Sequence, residues 1–289
     1  TQPPSGATSQ PTQPPPSPTD EPAYLAAIRG TDSAAVTTAA IAALGGIERF
    51  VRPGDDVIIK PNICVAYHPP EYAATTNPTV VATLVRLCLD AGARRVRVMD
   101  NPFGGAPDAA YDVSGIADAV RTAGGEMEIM SPVKYAQFDI PEGRDITAWD
   151  VYRDVIEADV LINVPIAKHH SLARLTLGGK NLMGVITSRN QMHRNLGQRI
   201  ADLTSLVRPT LTVVDAVRIL TAHGPSGGDL NDVTRTDMVI ASADIVAADA
   251  YAATLFDLTG ADISYVQAAA EMGLGTLDLG AVNVVEAEI

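Results

Sequence analysis

Cysteine, lysine, aromatic residues and positive charge are all scarce in this chain. Two cysteines, Cys64 and Cys88, among 289 residues exclude a disulfide framework, an iron–sulfur cluster and a four-cysteine zinc site. Each sits in apolar company and reads as a small buried residue, although a single Cys64–Cys88 bridge is compatible with the sequence. No apolar run reaches the ~18 residues of a membrane helix, so no membrane span is expected. Lys and Arg number 21 against 34 Asp and Glu, and the net charge of -13 argues against a nucleic-acid or anionic-membrane surface, which needs clustered cations. Aromatic residues are only 4%, so the core must be built from Ala, Val, Leu and Ile. An HExxH zinc motif and a Walker loop are both missing, which disfavours the commonest metal and nucleotide signatures.

What is present falls into two materials. Residues 1–22 are dominated by Pro, Gln, Ser and Thr, carry no apolar periodicity and read as a disordered tail. Such a tail ahead of a compact domain, with no initiator Met, is the pattern of a processed bacterial export, which predicts an extracytoplasmic location, periplasmic or at the cell surface. From residue 23 to 289 strand and helix patterns alternate without an internal repeat, the signature of an α/β domain with a mainly parallel sheet and helices on both faces.

Strands are expected at Tyr24–Ile28, Val57–Ile59, Arg95–Met99, Glu126–Met130, Val160–Val164, Leu211–Val214, Met238–Ala241 and Val282–Val285. Helices are expected after Ser33 as N-cap, from Pro78 behind the N-cap Asn77, over 114–123, over 196–207, and in two segments between Asp244 and Met272. Residues 133–148, with Pro141-Glu142-Gly143, read as a small hairpin excursion.

The organising stretch is 161–195, where a strand closed by Pro165 leads into a loop holding two of the four lysines, Lys168 and Lys180, and three of the five histidines, His169, His170 and His193. Lysine is a compact point charge that can lose its proton when buried, so in a chain with seventeen arginines these two stand out. Lys180, Lys168 and His169 are the catalytic candidates. Gly178-Gly179 ahead of Lys180 allows backbone amides to approach an anion, and Asn181 follows. Lys60, Asn62, Asp100 and Asp215 stand at strand ends, where open α/β sheets bind ligands, and complete the expected ligand set with Gly178, Gly179 and Asn181. His193 and His170, with an acid such as Asp215 or Asp100, are candidate ligands for a divalent metal. His169 and His170 are adjacent, so in an extended strand they point to opposite sides.

Ile58-Ile59-Lys60-Pro61-Asn62, Thr76-Asn77-Pro78, Asn163-Val164-Pro165 with Lys168-His169, Lys180-Asn181-Leu182-Met183-Gly184, His193, and Val213-Val214-Asp215 with Gly224-Pro225 and Gly228 resemble the family called domain of unknown function 362, from about Tyr24 to the C-terminus. Many relatives carry ferredoxin-like cysteine motifs beside this domain. This chain carries none, so the resemblance implies no iron–sulfur cofactor here. A more distant resemblance joins His170, Gly178-Gly179-Lys180, Gly184 and His193 to the nickel-pincer lactate racemases, with Met183 where that pattern has proline. It implies a tethering role for Lys180, with nickel ligation and proton transfer assigned to histidines.

The expectation is an exported α/β protein whose Lys/His/Asp cleft binds a small anionic ligand, with or without a metal, and whose catalysis the sequence does not decide. Two alternatives stand beside it: a non-catalytic surface or self-assembling homo-oligomeric protein that uses its Pro-rich tail, and a pincer-type racemase or isomerase.

Overall fold

The computed structural model describes residues 24–289, so the 1–22 tail and the export reading built on it lie outside the described residues. Twelve strands follow in chain order among the described residues: β1 (Leu25–Arg29), β2 (Asp56–Pro61), β3 (Arg95–Val98), β4 (Glu126–Met127), β5 (Tyr135–Asp139), β6 (Ala148–Tyr152), β7 (Val160–Val164), β8 (Ile166–His170), β9 (Arg174–Thr176), β10 (Leu211–Leu220), β11 (Val233–Ser242) and β12 (Val284–Glu288). The main sheet runs β12-β1-β11-β10-β7-β2-β3-β4, with β8 pairing β10 and β9, while β5 and β6 form a separate antiparallel hairpin at the expected excursion.

The sheet is mostly parallel; the exceptions are β11, antiparallel to both β1 and β10, and the short β9, antiparallel to β8. Strand residues alternate between two apolar cores. Ile58, Leu161, Val214 and Ile240 enter one, against the helices at Leu196–Val207, Ile245–Ala253 and Ser264–Glu271. Val57, Ile59, Ile162 and Val239 enter the other, against Ser33–Ala43, Pro78–Asp90 and Ile116–Thr122. Both faces are apolar because both are covered, which is why these strands read as continuous hydrophobic runs.

Several local expectations change. Asp32, not Ser33, caps the first helix, its carboxylate accepting from the amides of Ala34 and Ala35. The expected helix over 114–123 is present as Ile116–Thr122, and an unforeseen helix, Pro107–Val113, precedes it, the two separated at Gly115 with its positive φ. β10 and β11 are each ten residues long, because the two pair with one another well beyond the apolar stretches that mark them in the sequence. Pro165 does not open a loop: its carbonyl accepts from the Asp215 amide at 2.8 Å, and the chain continues as β8, folding back as β9. Cys64 and Cys88 are both free and buried. Among the described residues no helix is long and apolar enough to cross a membrane.

The topology fixes where a ligand can enter. The chain passes from β2 to β3 to β4 in one direction across the sheet, then returns to lay β7 on the other side of β2. β2 and β7 are therefore the switch point, with Lys60 in register with Asn163, and the crevice beyond their carboxyl ends is where open α/β sheets bind ligands.

Charge anchors the segments on either side of the hairpin to the sheet, and the hairpin loop to the helix Leu196–Val207. Arg97 of β3 pairs with Asp56, Glu128 and Asp154, and Asp202 accepts from the amides of Arg144, Asp145 and Ile146 and from the Gln198 side chain at 2.8–3.0 Å. Asp202 is fully buried, so its loss strands three amides of the hairpin loop. At about 1–3 kcal/mol for each unsatisfied buried donor, with imperfect additivity, Asp202→Ala should lower unfolding stability by roughly 3 kcal/mol, read as a lower denaturant midpoint. An unchanged midpoint would show that water replaces the carboxylate without cost.

Candidate functional site

At the carboxyl ends of β2, β3 and β8 lies a cavity of about 700 Å³. Its floor is a closed polar network. Lys60 Nζ forms an ion pair with Asp100 Oδ1 and donates to Asn181 Oδ1 and the Pro61 carbonyl, all at 2.8 Å. Asp100 Oδ2 accepts from the Ile63 amide at 2.6 Å. Asn181 donates to Asn163 Oδ1 and the Lys60 carbonyl, and Asn62 donates to Asn181 Oδ1. Lys168 Nζ donates to Asn62 Oδ1 at 2.9 Å and the Ala74 carbonyl at 2.6 Å. Burial pushes both ammonium groups down, and Asp100 opposes that for Lys60.

Gly184 explains how closely this network packs. A Cβ there would stand 2.1 Å from Asp100 Oδ1 and 2.6 Å from Lys60 Nζ, so any side chain collides with the ion pair.

Above the floor the cations are open. Lys180 and Arg189 line the cavity, and neither makes a hydrogen bond or ion pair with the protein among the described residues. Burial, reinforced by the charges of Lys168 and Arg189, pushes Lys180 down to about 8. With Lys60, Lys168, Lys180 and Arg189 against the single carboxylate of Asp100, the cavity is cationic inside a chain of net charge -13.

The two adjacent histidines diverge as their strand placement requires. His170 lines the cavity, and its Nδ1 accepts from the amides of Leu172 and Ala173 at 3.1 and 3.2 Å. That fixes the tautomer: the neutral ring carries its proton on Nε2. Burial and the Lys180 charge push His170 down to about 3, so it stays neutral at ordinary pH. His169 is not among the lining residues; its Nδ1 accepts from the Gly224 amide. His193 is exposed at the mouth, and burial and Lys180 lower its pKa.

Three other candidates lie outside the cavity lining. The Gly178 and Gly179 amides donate to Asp249 Oδ1 and Oδ2 at 2.6 and 2.9 Å, so an internal carboxylate occupies the anion-binding geometry that the glycine pair suggests. Burial pushes Asp249 up to about 7 against the opposing effect of those amides. The glycines serve close packing: a Cβ at Gly178 would meet Asp249 at 2.7 Å, and one at Gly179 would meet Tyr265 at 3.0 Å. Asp215 accepts from the amides of Asn77 and Val217, locking β10 to the start of the Pro78–Asp90 helix, and burial pushes it up to about 6.

The cavity also contains residues that sequence reasoning passed over, chiefly Arg189, Cys64, Phe103 and Leu172. Arg189 is one arginine among seventeen and carries no motif, so only its position distinguishes it. The residues do not fit a metal centre. No three His, Cys, Asp or Glu come together as ligands among the described residues, and His170 presents an N–H rather than a lone pair.

A family described as Domain of unknown function (DUF362) matches residues 57–254, narrower than the resemblance traced from Tyr24 onward. A thylakoid-associated protein of Synechocystis sp. is 27% identical over 246 residues, which cover 80% of this chain and 72% of that protein. The lactate racemase apoprotein from Thermoanaerobacterium thermosaccharolyticum superposes with a TM-score of 0.49 at 9% identity over 76% of this chain, which spans 54% of that structure.

Gly184→Ala tests the packing of the floor. Driving a methyl group into the Lys60–Asp100 pair should cost about 3 kcal/mol or more, the scale of breaking a buried ion pair, read as a fall in the unfolding midpoint. Wild-type stability in that variant would mean the pair can part without penalty.

Proposed function

The chain belongs to the DUF362 family, and from that premise we propose that its switch-point cavity binds a small anionic ligand between Lys180 and Arg189. One observation carries the reading: both floor lysines are bonded to protein acceptors, three for Lys60 and two for Lys168, whereas the side chains of Lys180 and Arg189 have none among the described residues. Holding like charges close together in a partly desolvated site is unfavourable until an anion supplies the missing acceptors. Lys168 and Asn62 lie beneath, joined by the bond from Lys168 Nζ to Asn62 Oδ1, and support the site from below. His170 contributes a neutral Nε2–H, a donor that does not compete for protons with the ligand.

Lys180 is also the residue suited to acid–base work. In the empty cavity its proton is held only to about 8, and a bound carboxylate raises that value, so the amine takes up a proton as an anion enters and returns it as the negative charge is lost. This supports a lysine-mediated proton transfer on an anionic substrate, with Arg189 holding the charge and Lys180 exchanging the proton. His169, once a catalytic candidate, has no part in this reading because it faces Gly224.

Titration calorimetry with inorganic phosphate and with acetate checks the binding claim. A charge-assisted contact contributes about 1.5–3 kcal/mol, so Lys180→Ala and Arg189→Ala should each weaken binding roughly tenfold or more while unfolding as the parent does. Binding requires the protonated amine, so affinity should be greatest below pH 8 and fall as pH rises through and above it. Affinity that is flat from pH 7 to 10, or unchanged in Lys180→Ala, would overturn the assignment.

A further inference from the structure

Resting on the anion-binding reading of the same cavity, we infer that its ligand is an amphiphile, with an anionic end at Lys180 and Arg189 and an apolar body covering Phe103 and Leu172. Size is the first argument. A cavity of about 700 Å³ lies within the ~300–1,000 Å³ typical of sites for drug-sized molecules, and phosphate or a two-carbon acid would leave most of it unfilled.

The second argument is the character of the wall. Phe103 and Leu172 line the cavity yet are 72% and 64% exposed, while the buried side chains of Met183 and Ile186 continue the apolar surface inward. Neither exposed residue is carried on slack backbone. The Phe103 and Gly104 amides both donate to the Cys64 carbonyl, at 2.8 and 3.1 Å, and the Ala66 amide donates back to the Gly104 carbonyl. The Leu172 amide donates to His170 Nδ1, the bond that sets the tautomer of that ring. Two large apolar side chains are thus held in water, on braced loops from separate strands, around the mouth of a cationic cavity. An apolar ligand body resolves that exposure, because removing apolar surface from water is favourable in proportion to its area. The anionic end then reaches inward to the two open cations, and the chain of the ligand runs outward between the phenyl ring and the leucine.

A homologous series of straight-chain carboxylates, acetate, butanoate, hexanoate and octanoate below its micelle concentration, tests this by calorimetry on the full chain. Binding should tighten about two- to fourfold per added methylene, the upper value being that of complete burial. Phe103→Ser combined with Leu172→Ser should remove most of the gain between acetate and octanoate, and Lys180→Ala should weaken every member by a similar factor. Equal affinity for acetate and octanoate, each lost in Lys180→Ala, overturns the amphiphile and leaves anion binding standing. Octanoate affinity left unchanged by Lys180→Ala, or no binding of any acid, overturns the anion reading as well. Pelleting with phosphatidylglycerol vesicles, without a chain-length gain in solution, assigns Phe103 and Leu172 to a membrane surface and overturns the proposal.

Discussion

A fully buried ammonium group requires acceptors on every side, and the structure around Lys60 is arranged to supply them. Asp100 comes from the end of β3, Asn181 from the segment after β9, and the third acceptor is the carbonyl of Pro61 beside it. Three chain segments that are distant in sequence are thereby held at one point, at the edge where the sheet reverses its strand order. Glycine at 184 is a condition of this arrangement, since the ion pair occupies the space a side chain would take. A buried pair of this kind gives little net stability over an apolar substitute, and its value lies in specifying one geometry.

That geometry separates two kinds of cation. Lys60 and Lys168 are bonded to protein acceptors and act as struts, fixing Asn62, Asn181 and the loop at Ala74. Lys180 and Arg189 stand above them with their hydrogen-bonding capacity unspent. The distinction matters for acid–base behaviour: each buried lysine is pushed down by desolvation, but only Lys180 combines a pKa of about 8 with access to the cavity and freedom from protein acceptors. Burial and the nearby Lys180 keep His170 neutral, and two backbone amides occupying one ring nitrogen set its tautomer.

The glycine pair shows how the same local chemistry can be turned inward. Gly178 and Gly179 do present their amides to an anion, but the anion is the carboxylate of Asp249, a side chain of the Ile245–Ala253 helix. The loop is thereby anchored, and Lys180 is delivered to the cavity from a fixed base. Anion binding and structural capping use identical donors, so residue types alone do not separate them.

Continuous apolar runs, the Asn77-Pro78 helix start, the hairpin between the fourth strand and the central one, and the placement of Lys60, Asn62 and Asp100 at strand ends were all legible in the sequence, because each depends on neighbours within a few residues. So was the divergence of His169 and His170, which follows from strand geometry alone. The antiparallel β11, the continuation of the chain through Pro165, the occupation of the glycine amides by Asp249 and the presence of Arg189 in the cavity were decided by tertiary structure. The physical reason is that hydrogen-bond saturation is a property of contacts between remote segments: the sequence determines which groups carry charge, and only the assembled fold determines which of them are left without a partner.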